Sequence, residues 1–433
     1  MRHRVAVGTD SRPGRAGVGA AAWIVGRSSL SSVVPRWFCF FVCLSKPMPE
    51  TARDAPDHLL ILNAGSSGLK FAIFARTGGP GALLRGNIEV VGGRRPGLDQ
   101  VKDRAAAFMG VAGGWAAIGH RIVHGGENLI EPRIVDAAVV AELKRICAFA
   151  PEHLPLEIAL VEEVAARFPT VPQILCFDTA FHRELPRVAK LLTIPRRYAA
   201  AGVRRYGFHG LSYEFLRDEL ARLGDPAVSQ GRVILAHLGN GASLAALMDG
   251  KCIDTSMGFT PAAGLVMGAR AGDLDPGLLA FLAQSEGMSA DDLARMVNHE
   301  SGLLGISGTS ADMRTLLALA ESDERAADAI EIFCRQAVKW IGGYAALLGG
   351  LDTLVFSGGI GENNAEVRAR ICARLGFIGI ALDDARNAEH AAVVSAAASR
   401  VCVRVIATDE ELVIARAARN LLDDDSHRPE NKT

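Results

Sequence analysis

Two stretches of this chain set Gly, Ser and Asn in a tight turn between apolar strands, a combination able to cradle phosphate. The first reads Leu62-Asn63-Ala64-Gly65-Ser66-Ser67-Gly68-Leu69-Lys70 and the second Ala236-His237-Leu238-Gly239-Asn240-Gly241-Ala242. Glycine admits close backbone approach to a ligand, and Ser, Asn and main-chain N–H groups donate to phosphate oxygens. Asn63 and Ser66 could serve a phosphate or its metal. One such turn reads equally well as a plain hairpin. Two copies predict a duplicated domain with a phosphate turn in each half, and so nucleotide chemistry. The first is not a Walker loop, because Lys70 runs on into strand-like residues rather than a helix. Read alone, Lys70 is an exposed lysine at a strand start.

Four further segments carry charge beside turn residues. Gly119-His120-Arg121-Ile122-Val123-His124-Gly125 sets an arginine fork, suited to carboxylate or phosphate, among glycines and histidines. The alternative is a surface loop with a solvated arginine. Asp178 follows the apolar run Ile174–Phe177, at the end of an apparent buried strand, where ligands of open α/β sheets gather; it could equally cap the next turn. His209 sits between Phe208 and Gly210, and a lone histidine is more often structural than catalytic. Arg270 lies in a run of Gly and Pro from Gly264 to Pro276, which favours a loop shaped around an anion over a helix. Gly305 to Arg314 and Ser357 to Asn364 read as two more Gly-rich loops, each ahead of a helix whose N-terminus could meet a phosphate or line an adenine pocket.

The elements that must hold these residues alternate between short β-rich runs and longer helical patterns, which predicts α/β architecture. Pro155 to Arg167 reads as a helix, Pro172 to Phe177 as a strand, Asp323 to Leu348 as a long amphipathic helix and Thr353 to Phe356 as a strand. Asp409 is placed to cap a last helix through Leu421. The 433 residues suffice for two domains. With 47 Lys and Arg against 48 Asp and Glu, the charge balance gives no support for nucleic acid or an anionic membrane as partner. No apolar run reaches the roughly eighteen residues of a membrane helix. The eight cysteines show neither CxxC pairs nor finger spacing, as in a reduced cytoplasmic enzyme. The first 47 residues differ: Arg2, Arg4, Arg12, Arg15, Arg27, Arg36 and Lys46 face a single acid, Asp10. Ser45-Lys46-Pro47 is a poor secretory cleavage site. The stretch is read as unfolded or untranslated, with Met48 a natural start.

Taken in order from Leu59 to Leu422, these segments closely resemble the acetate kinase family of short-chain acyl kinases. The resemblance implies the duplicated ribonuclease-H-like fold of actin, heat-shock chaperones and sugar kinases, an α/β fold of two mixed sheets flanked by helices. It implies a homodimer that transfers the γ-phosphoryl of ATP to acetate, or back from acetyl phosphate to ADP, with Mg²⁺ (Mn²⁺ as a substitute). Residues 1–57 would be an extension, 58–178 with 408–423 a first domain, and 179–407 a second, nucleotide-binding one. Carried over by position, Asn63 and Glu410 lie around the metal. Arg121 and Arg270 hold the acyl carboxylate and the phosphoryl in flight, Asp178 orients them, His209 stabilises the transition state and His153 adds a contact. Val123, Phe208 and Pro261 wall the acyl pocket, with Arg121 at its mouth. The nucleotide rests on Ser66, Lys70, His237, Leu238, Gly239, Asn240, Gly241, Asp312, Met313, Arg314, Gly359, Ile360, Gly361, Glu362 and Asn363.

Two positions depart from the family pattern. Gly68 replaces a third serine in the first turn. Glu152 stands beside the acyl pocket in Ala150-Pro151-Glu152-His153, where the family has an apolar residue; a buried carboxylate there needs a partner or must turn outward. The rival readings are a propionate kinase of the same family and an actin- or chaperone-like ATPase module. The second has no use for Arg121, Asp178, His209 and Arg270 together.

Overall fold

The computed structural model describes residues 57–65, 68–89 and 114–424, all within one compact unit spanning Ala52–Thr433. Ser66 and the first 47 residues, on which expectations were placed above, lie outside the described residues.

Two sheets carry the architecture. The first contains β1 (His58–Gly65), β2 (Gly68–Ala75), β3 (Ala82–Glu89), β4 (Trp115–Ile122), β5 (Arg133–Ile134) and β6 (Gln173–Phe177), in the order β3-β2-β1-β4-β6-β5. The second contains β7 (Arg232–Leu238), β8 (Ala242–Met248), β9 (Lys251–Thr255), β10 (Thr353–Ser357) and β11 (Cys402–Val405), in the order β11-β10-β7-β8-β9. β1 pairs antiparallel with β2 and parallel with β4; β7 pairs antiparallel with β8 and parallel with β10. Each sheet is therefore an antiparallel meander whose first strand is extended by parallel neighbours. That repeated plan is the duplication the paired turns predicted, and the mixed sheets flanked by helices match the expected fold class.

Both central strands carry an unbroken apolar run, Leu59–Leu62 and Val233–Ala236, because both of their faces are covered. On β1, Leu60 and Leu62 pack with Phe71, Ile118 and Val164, while Leu59 and Ile61 pack against Leu412, Val413 and Ile414 of the C-terminal helix Glu410–Asp423. β7 divides the same way, Val233 and Leu235 to one cluster and Ile234, Ala236 and Leu238 to another. The helix Glu324–Leu348 backs the second sheet, burying Ala326, Ile330, Phe333, Ala337, Ile341 and Tyr344 at three- and four-residue steps. Asp323 caps its start and Gly349, at φ 71°, ends it. Asp409 caps the last helix by accepting from Leu412 N, with Glu410 and Glu411 in its first turn.

Two expected loops turn out to be partly helical: Gly302–Ser307 and Gly358–Asn363 are short helices. At the second, Gly358 (φ 75°) lets the chain pass so close to β7 that a Cβ would lie 2.8 Å from the Leu238 carbonyl carbon. The Glu362 carboxylate then accepts from Gly358 N at 2.8 Å, closing the turn from within. Glycine content hid a helix that tertiary contacts enforce.

Candidate active site

A cavity of about 410 Å³ opens where the C-terminal ends of β1, β4 and β7 face one another. Its lining brings together residues far apart in the sequence, Asn63, Lys70, Arg121, His209, Arg270 and Glu410 among them.

From the first hairpin, Asn63 Nδ2 donates to Glu410 Oε2 at 2.9 Å and to Glu411 Oε1 at 2.8 Å. Burial works to raise the Glu410 pKa, but Arg121, His237, the Asn63 bond and Lys70 outweigh it, so the carboxyl lies below its ordinary range. Arg85 fixes the neighbours of Glu410, reaching Glu411 Oε2 at 3.2 Å and also Asp409. Among the described residues no group of three or more His, Cys, Asp or Glu forms a cation cage. An amide beside one or two carboxylates is an oxygen donor set of the kind Mg²⁺ accepts, since that ion keeps waters and substrate phosphates as its other ligands.

From the end of β4, Arg121 Nε donates to Asp178 Oδ2 at 3.1 Å, Nη2 donates to the same oxygen, and Nη1 donates to Ala64 O at 2.9 Å. The arginine thus braces the first turn against the strand-end aspartate. Burial opposes the Arg121 charge, yet Asp178, Glu410 and Glu157 more than offset it and its pKa is raised. Asp178 is wholly buried, and burial pushes its carboxyl up to about 6 against the pull of Arg121.

His209 (φ 58°) is held in a left-handed conformation by the glycines beside it. A Cβ on Gly207 would meet His182 Cδ2 at 2.5 Å, and one on Gly210 would meet Asp178 O at 1.9 Å, so larger residues would push this loop off the aspartate. The His209 ring stacks on His237 at 4.3 Å between centroids. Burial first, then His237, Arg121 and Arg270, hold the His209 pKa well below its ordinary value, so the ring is neutral. Arg270 has no carboxylate within ion-pair reach among the described residues; its Nη1 donates weakly to Pro261 O at 3.4 Å. Burial and then Arg121 lower its pKa. Val123, Phe208 and Pro261 join the same lining, as does His153.

A second cavity of about 420 Å³ adjoins through Gly239, Asn240 and Gly359, and is lined further by Asp312, Met313, Arg314, Ile360 and Asn363. Most residues expected to hold a nucleotide therefore surround one space. Leu238 and Gly361 do not line it: Leu238 is fully buried in the core and Gly361 is buried in its helix. Arg314 is 87% exposed and tied to Asp312. Glu362 spends its carboxylate on Gly358 N and Thr408 N.

Of the two departures, Gly68 opens β2 opposite Gly65 and lines the first cavity. Glu152 turns outward, where its Oε2 meets His299 Nε2 at 2.9 Å. His120 and His124 stand behind the cleft, burial pushing each down to about 4.

Some positioning residues escaped the sequence reading. Glu411 shares Asn63 with Glu410, and a pair of acids opening a helix was the available signal. Glu157, buried, accepts from Val123 N at 2.9 Å and so fixes a wall of the pocket. Arg368, fully buried, donates from Nη1 to Gly361 O at 2.8 Å and Glu362 O at 2.9 Å, anchoring the end of the short helix beside the second cavity. Nothing in its sequence surroundings marks it.

The family model described as the Acetokinase family matches residues 111–416. An acetate kinase of Nitrobacter hamburgensis is 43% identical over 397 residues, covering 86% of this chain and 97% of the relative. One from Rhodopseudomonas palustris is 42% identical over 396 residues, covering 85% and 99%. Among solved structures, a propionate kinase from Francisella tularensis superposes with a TM-score of 0.76 at 35% identity, over 84% of this chain and 99% of that one. Porphyromonas gingivalis acetate kinase gives 0.75 at 33%, over 85% and 100%.

Proposed function

The chain belongs to the acetokinase family, and on that premise we propose that it transfers the γ-phosphoryl group of ATP to acetate, giving acetyl phosphate and ADP, and catalyses the reverse. The observation that carries the reading is Arg270, a half-buried cation with no carboxylate in ion-pair reach among the described residues, facing one cavity with Arg121 and His209. An anion is what that arrangement lacks.

A substrate carboxylate, with a pKa of about four, is already a nucleophile at neutral pH, so no general base is required. Phosphoryl transfer needs in-line placement and positive charge around the equatorial oxygens. Arg270 would bind the acyl carboxylate and the phosphoryl in flight. Arg121, oriented by Asp178, would share that load, with His209 donating from its neutral ring and His153 adding a contact. Val123, Phe208 and Pro261 would exclude water from the methyl group. The glycines 239, 241 and 359, with Asn240, Asp312 to Arg314 and Asn363, would seat the nucleotide, and Lys70 would reach its phosphates. Asn63 and Glu410 would hold Mg²⁺, which would supply positive charge to offset that of the phosphate groups. On this scheme residues 58–178 with 408–423 form one lobe and 179–407 the other.

A homodimer is supported by the helix Pro276–Ser285, which buries none of its own residues and exposes Phe281 at 63%. No helix among the described residues is long and apolar enough to cross a membrane. The described cysteines are all unpaired, which supports a reducing cytoplasmic setting.

Trapping acyl phosphate as hydroxamate across acetate, propionate and butyrate tests the reading. Acetate is expected to give the highest kcat/KM. ATP hydrolysis with no hydroxamate from any acid would overturn it in favour of an ATPase module. The likeness to a propionate kinase, at 35% identity and a TM-score of 0.76, favours propionate as the second reading, and the same panel separates the two.

A further inference from the structure

Behind His209 lies a buried chain of hydroxyls that the scheme above leaves unused. His209 Nδ1 is 2.8 Å from Ser243 Oγ, and Ser243 Oγ is in turn closely bonded to Tyr213 Oη. Ser243 and Tyr213 are both fully buried. Burial raises the Tyr213 pKa, so the phenol keeps its proton. A buried O–H requires an acceptor, and Ser243 Oγ is the partner the structure gives it. Ser243 is left with its own proton, which goes to its other partner, His209 Nδ1. Nδ1 accordingly accepts, and the proton of the neutral imidazole sits on Nε2. That nitrogen faces the cleft: a Cβ on Gly241 would lie 3.2 Å from it and 3.6 Å from Arg270 Nη1.

We propose that Tyr213 and Ser243 are positioning residues for phosphoryl transfer, fixing His209 as the tautomer that presents Nε2–H to the phosphoryl oxygens. The relay joins two elements of the second half. Tyr213 lies one turn beyond His209 on the helix Gly210–Arg222, its N–H bonded to His209 O at 3.0 Å. Ser243 is the second residue of β8, just after the second phosphate turn. His237, stacked on His209, meets a single hydroxyl, that of Ser212, at 2.8 Å. The catalytic part of the inference rests on the acyl kinase reading; the tautomer does not.

The test combines ¹⁵N-histidine NMR of the substrate-free enzyme with kinetics, the His209 signal being assigned by its loss in His209→Gln. The wild type is expected to carry the proton on Nε2. In Tyr213→Phe, Ser243 is released to accept, so the proton moves in part to Nδ1. Turnover should fall about tenfold to a hundredfold, approaching the loss of one transition-state donor. KM for acetate and ATP should stay within about twofold, as for an interaction made only in the transition state. Ser243→Ala should lose rate that Ser243→Thr, which keeps the hydroxyl, recovers. A proton on Nδ1 in the wild type overturns the proposal, as does wild-type kcat in a folded Tyr213→Phe or Ser243→Ala. If Tyr213→Phe does not fold, the wild-type spectrum and the two Ser243 variants decide. Nε2–H in an enzyme that phosphorylates no carboxylate would leave the tautomer standing and remove the functional reading instead.

Discussion

Arg121→Ala and Arg270→Ala should injure the protein in different ways, although both arginines face one cavity. Arg121 puts two N–H groups on a single oxygen of Asp178, which is 0% exposed. Removing it strands a buried carboxylate, and breaking a buried pair in this way costs about 3–5 kcal/mol of stability. The cost should shrink as pH falls towards 6, because Arg121 holds the Asp178 carboxyl down and without it the pKa rises further, so a captured proton removes the buried charge. Arg270 makes only weak bonds, to Pro261 O at 3.4 Å and Met267 Sδ at 4.0 Å. A half-buried guanidinium with no ion pair adds little to stability, so Arg270→Ala should leave unfolding free energy within about 1 kcal/mol of wild type. Both substitutions should lower kcat/KM on the order of 10³-fold, about 4 kcal/mol of transition-state stabilisation. Denaturant unfolding followed by circular dichroism reads the first quantity and hydroxamate formation the second. Arg121→Ala/Asp178→Ala should recover most of the lost stability and none of the activity, the signature of a coupled pair. The reasoning fails if Arg270→Ala is as unstable as Arg121→Ala, or if the double variant is no more stable than Arg121→Ala alone.

The Asp178 carboxyl, at about 6 in the fold and about 3.9 unfolded, is raised. Its contribution to stability is therefore full below the unfolded value and lost as pH rises through about 6. Activity runs the other way: kcat/KM should fall as pH drops through about 6, and a pH–rate profile of Asp178→Asn should lack that limb. Gly210→Ala would press a Cβ to 1.9 Å from Asp178 O; about 1–3 kcal/mol of stability should go, as in overpacking, with activity lost in parallel, measured by thermal unfolding and assay. Glu410→Gln should raise the Mg²⁺ concentration for half-maximal rate at least about tenfold, the loss typical of even an outer-shell partner.

What the sequence revealed depended on whether the signal was local. Asp323 and Asp409, each ahead of a periodic apolar run, marked helix starts that the structure places there. The two Gly-rich turns disclosed the duplication because a strand pair and its turn are contiguous. Helix ends shifted by a residue or two, as terminal turns do. The helix Gly358–Asn363 was read as a loop since its stability comes from Arg368 and from contact with Leu238, neither of them local. Arg368 looks like any helical arginine. Only the fold shows that it faces inward, to carbonyls, Asn387 and His390. Ser243 escaped notice inside an apolar strand for the same reason: its partners are 30 and 34 residues away.

The contact between Asn63 and the acids of the last helix joins positions 347 and 348 residues apart. On a ribosome adding about 5–20 residues per second, Asn63 is made some twenty to seventy seconds before Glu410 and Glu411 exist. Throughout that interval the outer face of β1, Leu59 and Ile61, lacks the helix that later covers it. The nascent chain is thus inert as well as sticky, and a transcript cut short before the helix Glu410–Asp423 yields a polypeptide with nearly every working part and no enzyme. Quality control has to guard the last fourteen residues of the fold, Glu410–Asp423, as closely as the first hairpin.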